Sequence, residues 1–257
     1  MLQGYSESVE SIPTWLSAMV RREPPIQGEI VPSSTPVISF GDFRTVRVAT
    51  LGINPSNKEF VNNRGELLSG EKQRLATLPS LNAAALTTLS DEQVAIVIQY
   101  CNNYFISGND YSWFKTLDNV IKPGLGVSYF DNTACHLDIV QWSTKTKWQS
   151  LEPQIKTTLL DDGRIHLSNQ LSNSQISTVI VNGKSVWSEL ESAGFGTPKK
   201  SGELSFGKRN TSCQLLVNKF GKTLFLGWSS NLQSQHGANS PEFLAKLAGW
   251  LKSQQII

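Results

Sequence analysis

Four short apolar runs, each cut off by a turn residue, constrain the fold of this chain more than its composition does. The first covers residues 46–51, Val46-Arg47-Val48-Ala49-Thr50-Leu51, and is stopped by Gly52 and Pro55. Runs of this length that are rich in β-branched residues and bounded by such breakers read as buried strands. The second covers 126–130, opened by Pro123-Gly124 and closed by Asp131-Asn132. The third covers 177–181 and ends at Asn182-Gly183; the fourth covers 223–227, preceded by a hairpin partner at 213–217 and the turn Phe220-Gly221-Lys222. Helical patterns lie between them. Ser90-Asp91-Glu92-Gln93 has the form of a capping box ahead of an apolar run. Ser240 and Pro241 open a helix with Phe243, Leu244, Leu247, Trp250 and Leu251 on one face. Strands alternating with helices predict an α/β fold, three layers (α/β/α) around a central, mainly parallel four-stranded sheet.

At 257 residues the chain has the length of one large α/β domain. Residues 1–45, holding Pro24, Pro25, Pro32 and Pro36, read as an N-terminal extension, and about 57–104 as an insertion carrying Lys58, Arg64, Lys72 and Arg74. Residues 1–10 contain Glu7 and Glu10 and lack the apolar core of a signal peptide. The longest apolar runs fall short of the roughly 18 residues that span a membrane. Cys101, Cys135 and Cys213 are scattered and odd in number, which predicts reduced thiols in the cytoplasm and neither a disulfide framework nor a zinc site. No glycine-rich phosphate loop follows any strand. The net charge is only +2, but residues 197–222 hold Lys199, Lys200, Lys208, Arg209, Lys219 and Lys222 against Glu203 alone. Such a cluster can neutralise phosphates, with Lys208 and Arg209 the leading candidates.

The chemistry centres on Asn54. Ligands of open α/β sheets bind outside the carboxyl ends of the strands, and Asn54 stands just past the first strand, between Gly52 and Pro55. An Asn cannot take a proton as Asp would, but its carbonyl oxygen can orient a water. The motif Gly52-Ile53-Asn54-Pro55 resembles the first motif of the uracil-DNA glycosylase superfamily, in its mismatch-specific and single-strand-selective branches. There the Asn positions the water that attacks C1′ of the target nucleotide.

The resemblance extends to roughly 46–250 and assigns further roles. Tyr129-Phe130-Asp131-Asn132-Thr133-Ala134-Cys135 is similar to the segment in which a strand ends on an Asn that reads the flipped base, so Asn132 takes that role. Asn109-Asp110-Tyr111-Ser112-Trp113-Phe114 lies where the family carries its stacking aromatic. Tyr111 and Phe114, three apart, share a helix face and are both candidates, while Trp113 points to the core. The segment Gly227-Trp228-Ser229-Ser230-Asn231-Leu232 resembles the loop that enters the minor groove. It gives Ser230 a phosphate contact and makes Leu232 the exposed apolar wedge that fills the gap left by the flipped base. Ser56, directly after the first motif, is likewise placed on DNA.

One position departs from the family. Trp228 stands where a His stabilises charge on the departing base, and an indole cannot become cationic. His236, later in the same loop, is the substitute expected to be catalytic, with His136 as the second candidate; Trp228 remains against the base.

The resemblance therefore implies a monofunctional DNA N-glycosylase that leaves an abasic site. It is expected to act as a cytoplasmic monomer on DNA, without cofactor or metal. The long insertion and altered last loop favour a modified pyrimidine over plain uracil. The superfamily includes bacterial antiviral enzymes that remove hypermodified phage bases such as glucosylated hydroxymethylcytosine. The rival from another class is an inactive nucleic-acid-binding module on the same fold.

Overall fold

In a computed structural model of the chain, which describes residues 12–108 and 112–254, the sheet carries six strands. They are β1 (Val48–Gly52), β2 (Ala134–Asp138), β3 (Thr178–Asn182), β4 (Lys199–Phe206), β5 (Thr211–Phe220) and β6 (Thr223–Trp228), in the order β2-β1-β3-β6-β5-β4. β2, β1, β3 and β6 run parallel, and β5 and β4 add an antiparallel hairpin beyond β6. The α/β class follows as expected from the sequence, but the four-stranded sheet becomes six. The hairpin partner foreseen at 213–217 is one arm of a longer ribbon, whose other arm contains Lys199, Lys200 and Glu203 and lacks an apolar run.

β1, β2 and β3 are buried at every position, as befits strands covered by helices on both faces. The helices are α1 (Thr14–Arg21), α2 (Asp91–Asn102), α3 (Ser112–Leu125), α4 (Pro153–Ser172), α5 (Lys184–Ser192) and α6 (Pro241–Ser253). α3 and α6 pack on each other. α5 packs on β3. The Ser90 capping box forms: the Ser90 hydroxyl accepts from the Gln93 N–H, and the Ser90 N–H donates to Gln93 Oε1. Ser240 caps α6, with Pro241 in its first turn.

The second strand lies further along the chain than the sequence suggests. Residues 126–130 lead instead into a 3₁₀ turn, Tyr129–Asp131, held by the buried Asp118 carboxylate, which accepts from the Ser128 hydroxyl (2.7 Å) and the Tyr129 N–H (3.1 Å). Asn132 ends that turn in the left-handed region at φ 59° and is exposed. The strand proper begins two residues later.

The N-terminal extension belongs to the same core. Leu16, Met19, Ile38, Phe40 and Phe43 are buried in it. Residues 29–40 form a strap antiparallel to 136–145: Phe40 and His136 exchange backbone bonds of 2.8 Å, the Val37 N–H donates to the Gln141 carbonyl, the Val31 N–H to Ser143, and the Lys145 N–H to Glu29. The strap covers the outer edge of β2. The insertion at 57–104 contributes 3₁₀ turns, α2 and a run of core residues from Phe60 to Tyr104. All three cysteines are buried free thiols, and burial pushes that of Cys101 up to about 11. Among the described residues no helix is long and apolar enough to cross a membrane.

Candidate functional site

At the carboxyl end of β1 the chain leaves the sheet through Gly52, Ile53 and half-buried Asn54. The segment after β2 runs beside it, with the Ile139 and Val140 N–H groups donating to the Gly52 and Ile53 carbonyls. It brings two acceptors to Asn54: its Nδ2 donates to Thr144 Oγ1 (3.1 Å) and to the Trp142 carbonyl (3.4 Å). Thr144 spends its own hydroxyl proton on the Thr146 carbonyl (2.7 Å), so it can only accept from Asn54. The amide is thereby oriented, with nitrogen inward and Oδ1 left without a donor among the described residues. Trp142 is itself anchored, its indole N–H donating to Asp162 (3.0 Å) and the Arg22 guanidinium lying 4.8 Å from the ring centre.

Below Asn54, on the helix-covered face where α3 lies, β1 and β2 carry a buried polar chain. Tyr129 OH and Thr50 Oγ1 are 2.7 Å apart, Thr50 Oγ1 and His136 Nδ1 2.6 Å, and His136 Nε2 lies 3.5 Å from Asp138 Oδ1. Gly52 makes room for this: a Cβ there would sit 2.3 Å from Asp138 Oδ1 and 2.8 Å from His136 Nε2. The insertion adds Glu59, whose carboxylate accepts from the Tyr104 hydroxyl (2.7 Å) and lies 3.6 Å from Arg74. Burial pushes the Glu59 carboxyl above the ordinary carboxylate range; Tyr104 and Arg74 oppose the shift, and the charge of Asp138 adds to it. Burial likewise raises the Tyr104 and Tyr129 hydroxyls, which stay protonated donors.

The aromatic assignment is reversed. Phe114 is buried among Phe40, Phe105, Tyr129 and His136, with ring centres 4.9–5.5 Å away. Trp113 is the open ring: it is 40% exposed and meets His136 edge-on at 5.2 Å. Tyr111 lies outside the described residues.

Asn132 is not at this site. It precedes the amino end of β2, so the length of that strand, about 16 Å at 3.3 Å per residue, separates it from the end bearing Asn54. Its left-handed turn conformation accounts for the residue type. The side chain that β2 does deliver to the carboxyl end is Asp138, opposite Gly52 in the register.

The last loop is closed rather than protruding. Leu232 is fully buried, which removes the wedge assignment. Asn182 at the end of β3 explains why: its Oδ1 accepts from the Trp228 indole N–H (2.8 Å) and the Leu232 N–H (3.2 Å). Asn231 Oδ1 caps the Gln233 and Ser234 N–H groups, and Gln233 reaches the Trp113 carbonyl (3.1 Å). The polar residues bond to each other and turn Leu232 inward. Trp228 is also fully buried, and its N–H is committed to Asn182; Ser230 is buried as well. Neither is available to a base or a phosphate.

Ser56 is exposed and caps the short turn after Pro55, accepting from the Lys58 N–H. His236 is exposed, and its neighbour Gly237 lies against Phe206 and Gly207 of the hairpin. The basic cluster is split by the ribbon. Lys208 and Arg209 occupy the β4–β5 turn, which overhangs the carboxyl end of β6, whereas Lys219 and Lys222 flank the β5–β6 turn at the other end. Exposed Lys58 and Lys145 lie on the loops that leave β1 and β2 at the site end, and exposed Lys184 opens α5 just after β3.

Sequence reading missed Asp138, Thr144, Asn182, Glu59 and the exposure of Trp113. Placing the second strand eight residues later, at Ala134–Asp138, would have found Asp138 at once. No group of His, Cys, Asp and Glu suited to a metal ion occurs among the described residues. Compared with models of known protein families and with characterised proteins, the sequence matches none.

Proposed function

We propose that this protein is a DNA N-glycosylase that hydrolyses the bond between C1′ and a base turned out of the helix, with Asn54 orienting the water. The observation that carries this reading is the fixed Asn54 amide at the carboxyl end of β1, its nitrogen held by Thr144 and Trp142 and its oxygen left to accept from a water. Cleavage of a glycosidic bond passes through an oxocarbenium-like sugar and needs little nucleophilic push, so an oriented water suffices where the leaving base is stabilised. Three features support DNA as the partner: the exposed Trp113 ring as a stacking surface, the lysines on the site-end loops, and Lys208 with Arg209 on the overhanging turn. Four adjacent parallel strands, β2-β1-β3-β6, support the likeness to the family whose first motif Gly52-Ile53-Asn54-Pro55 resembles.

The test is base release from oligonucleotides carrying uracil, a U·G mismatch or glucosylated hydroxymethylcytosine, single- and double-stranded, read as alkali-labile abasic sites. Abasic sites formed by wild type and lost in Asn54→Ala support the reading. A second reading, an inactive DNA-binding module, is favoured by Trp228, which is buried and bonded to Asn182 where a charge-stabilising His is needed. DNA binding with no abasic product from any substrate would establish that reading instead.

A further inference from the structure

Asp138 is a buried carboxylate at the site with little to offset the cost of its burial. It is 4% exposed, and among the described residues its one ion-pairing neighbour is His136 Nε2 at 3.5 Å, with no Lys or Arg beside it. No described N–H or O–H donates to its carboxylate at hydrogen-bond distance. Buried carboxylates ordinarily secure partners, since an unpaired charge away from water is costly. Here the carboxylate instead lies against Gly52 at the strand end. Gly52 is the residue that permits it, because any side chain there would strike Oδ1. Asp138 lies opposite Gly52, the last residue of β1, and Asn54 follows two residues further along the segment that leaves that strand end.

We infer that Asp138 is the carboxylate of the reaction, supplying the negative charge and the proton acceptor that Asn54 lacks; the inference rests on the glycosylase reading above. As the C1′–N bond breaks, its electron pair leaves with the base and positive charge spreads over the sugar ring. Asp138 stabilises that charge electrostatically from a site shielded from water. The water held by Asn54 bonds to C1′ through its oxygen and gives one proton to Asp138. That proton passes to the departing base anion, which restores the carboxylate and balances the step. His136, held by Thr50 and Tyr129, positions Asp138 from the side away from the sugar.

The test compares Asp138→Asn and Asp138→Ala with wild type on whichever substrate wild type cleaves. Single-turnover base release should fall about 100-fold or more, the low end of the effect of a positioned proton acceptor. DNA affinity should stay within about threefold, since the group acts after binding. Formate should restore part of the rate to Asp138→Ala, which has room for it, and not to Asp138→Asn. The melting temperature of Asp138→Asn should equal or exceed that of wild type, because a neutral amide replaces a buried charge whose one described partner, His136, stands 3.5 Å away. An active wild type with an equally active Asp138→Asn overturns the inference alone. A lowered melting temperature with parallel losses of rate and affinity, and no formate rescue, makes Asp138 structural and also overturns it. A wild type that releases no base overturns the function and this inference together.

Discussion

Leu232 shows how a single side chain can look exposed in sequence and be buried in the fold. Its neighbours Ser229, Ser230, Asn231, Gln233 and Ser234 are all polar, yet their polarity is spent on one another and on Asn182. Leu232→Ala should therefore destabilise the protein by about 2–5 kcal/mol, the range for emptying a core leucine site; chemical denaturation measures it, and a change below about 0.5 kcal/mol would return Leu232 to the surface. Thr144→Val keeps the shape beside Asn54 and removes the acceptor that orients its amide. Base release should drop about five- to tenfold, the rate equivalent of one hydrogen bond's ~1 kcal/mol, with the melting temperature nearly unchanged. Asn54 was legible in sequence because Gly52 and Pro55 punctuate the strand around it. The residues that fix it were not, because Trp142 and Thr144 come from a segment some ninety residues away and act through a carbonyl and a hydroxyl that carry no local pattern.

Among elements, β2 was the hardest to read. Ala134-Cys135-His136-Leu137-Asp138 places two polar side chains on the face under α3, so it lacks the apolar continuity that identified β1 and β3. The apolar residues at 126–130 form a better strand pattern, but Asp118 captures Ser128 and Tyr129 and bends them into a turn. The starts of α2 and α6 were legible, since Ser90 and Ser240 act within one turn of the chain, whereas α1 and α4 begin with no side-chain cap to announce them. The insertion was legible as extra length but not as a source of buried charge. Glu59 binds its proton more tightly folded than unfolded because burial disfavours the carboxylate. The folded state thus holds more protons, and stability falls as pH rises from the unfolded glutamate range towards the raised folded value. Glu59→Gln removes this loss while its carbonyl still accepts from Tyr104. Thermal melts should show the variant gaining on wild type between about pH 5 and 8; parallel curves would refute a raised Glu59.

At the scale of the molecule, charge is sorted by the ends of the sheet. If the carboxyl end faces DNA, Lys208→Ala with Arg209→Ala should reduce the slope of log affinity against log salt by about 2, whereas Lys219→Ala with Lys222→Ala at the opposite end should leave it unchanged. Equal effects of the two pairs would mean that the site end does not define the binding face. Sequence located the cluster but could not divide it, because the division depends on where the ribbon folds back. The sheet's two edges are also treated differently: β4 is largely exposed and carries the Lys200–Glu203 pair, which discourages pairing with another chain, while the edge at β2 is closed by the strap at 29–40. That strap has a kinetic consequence. Its partners lie roughly a hundred residues downstream, and contacts this distant are entropically costly to close and slow to form. The segment that holds Thr144 and Trp142 against Asn54 is braced from outside by residues synthesised about a hundred positions earlier, so they must wait unpaired until β1, β2 and the loop beyond them exist. The sheet can be largely assembled before the strap seats, and the oriented Asn54 amide belongs to the last stage of folding.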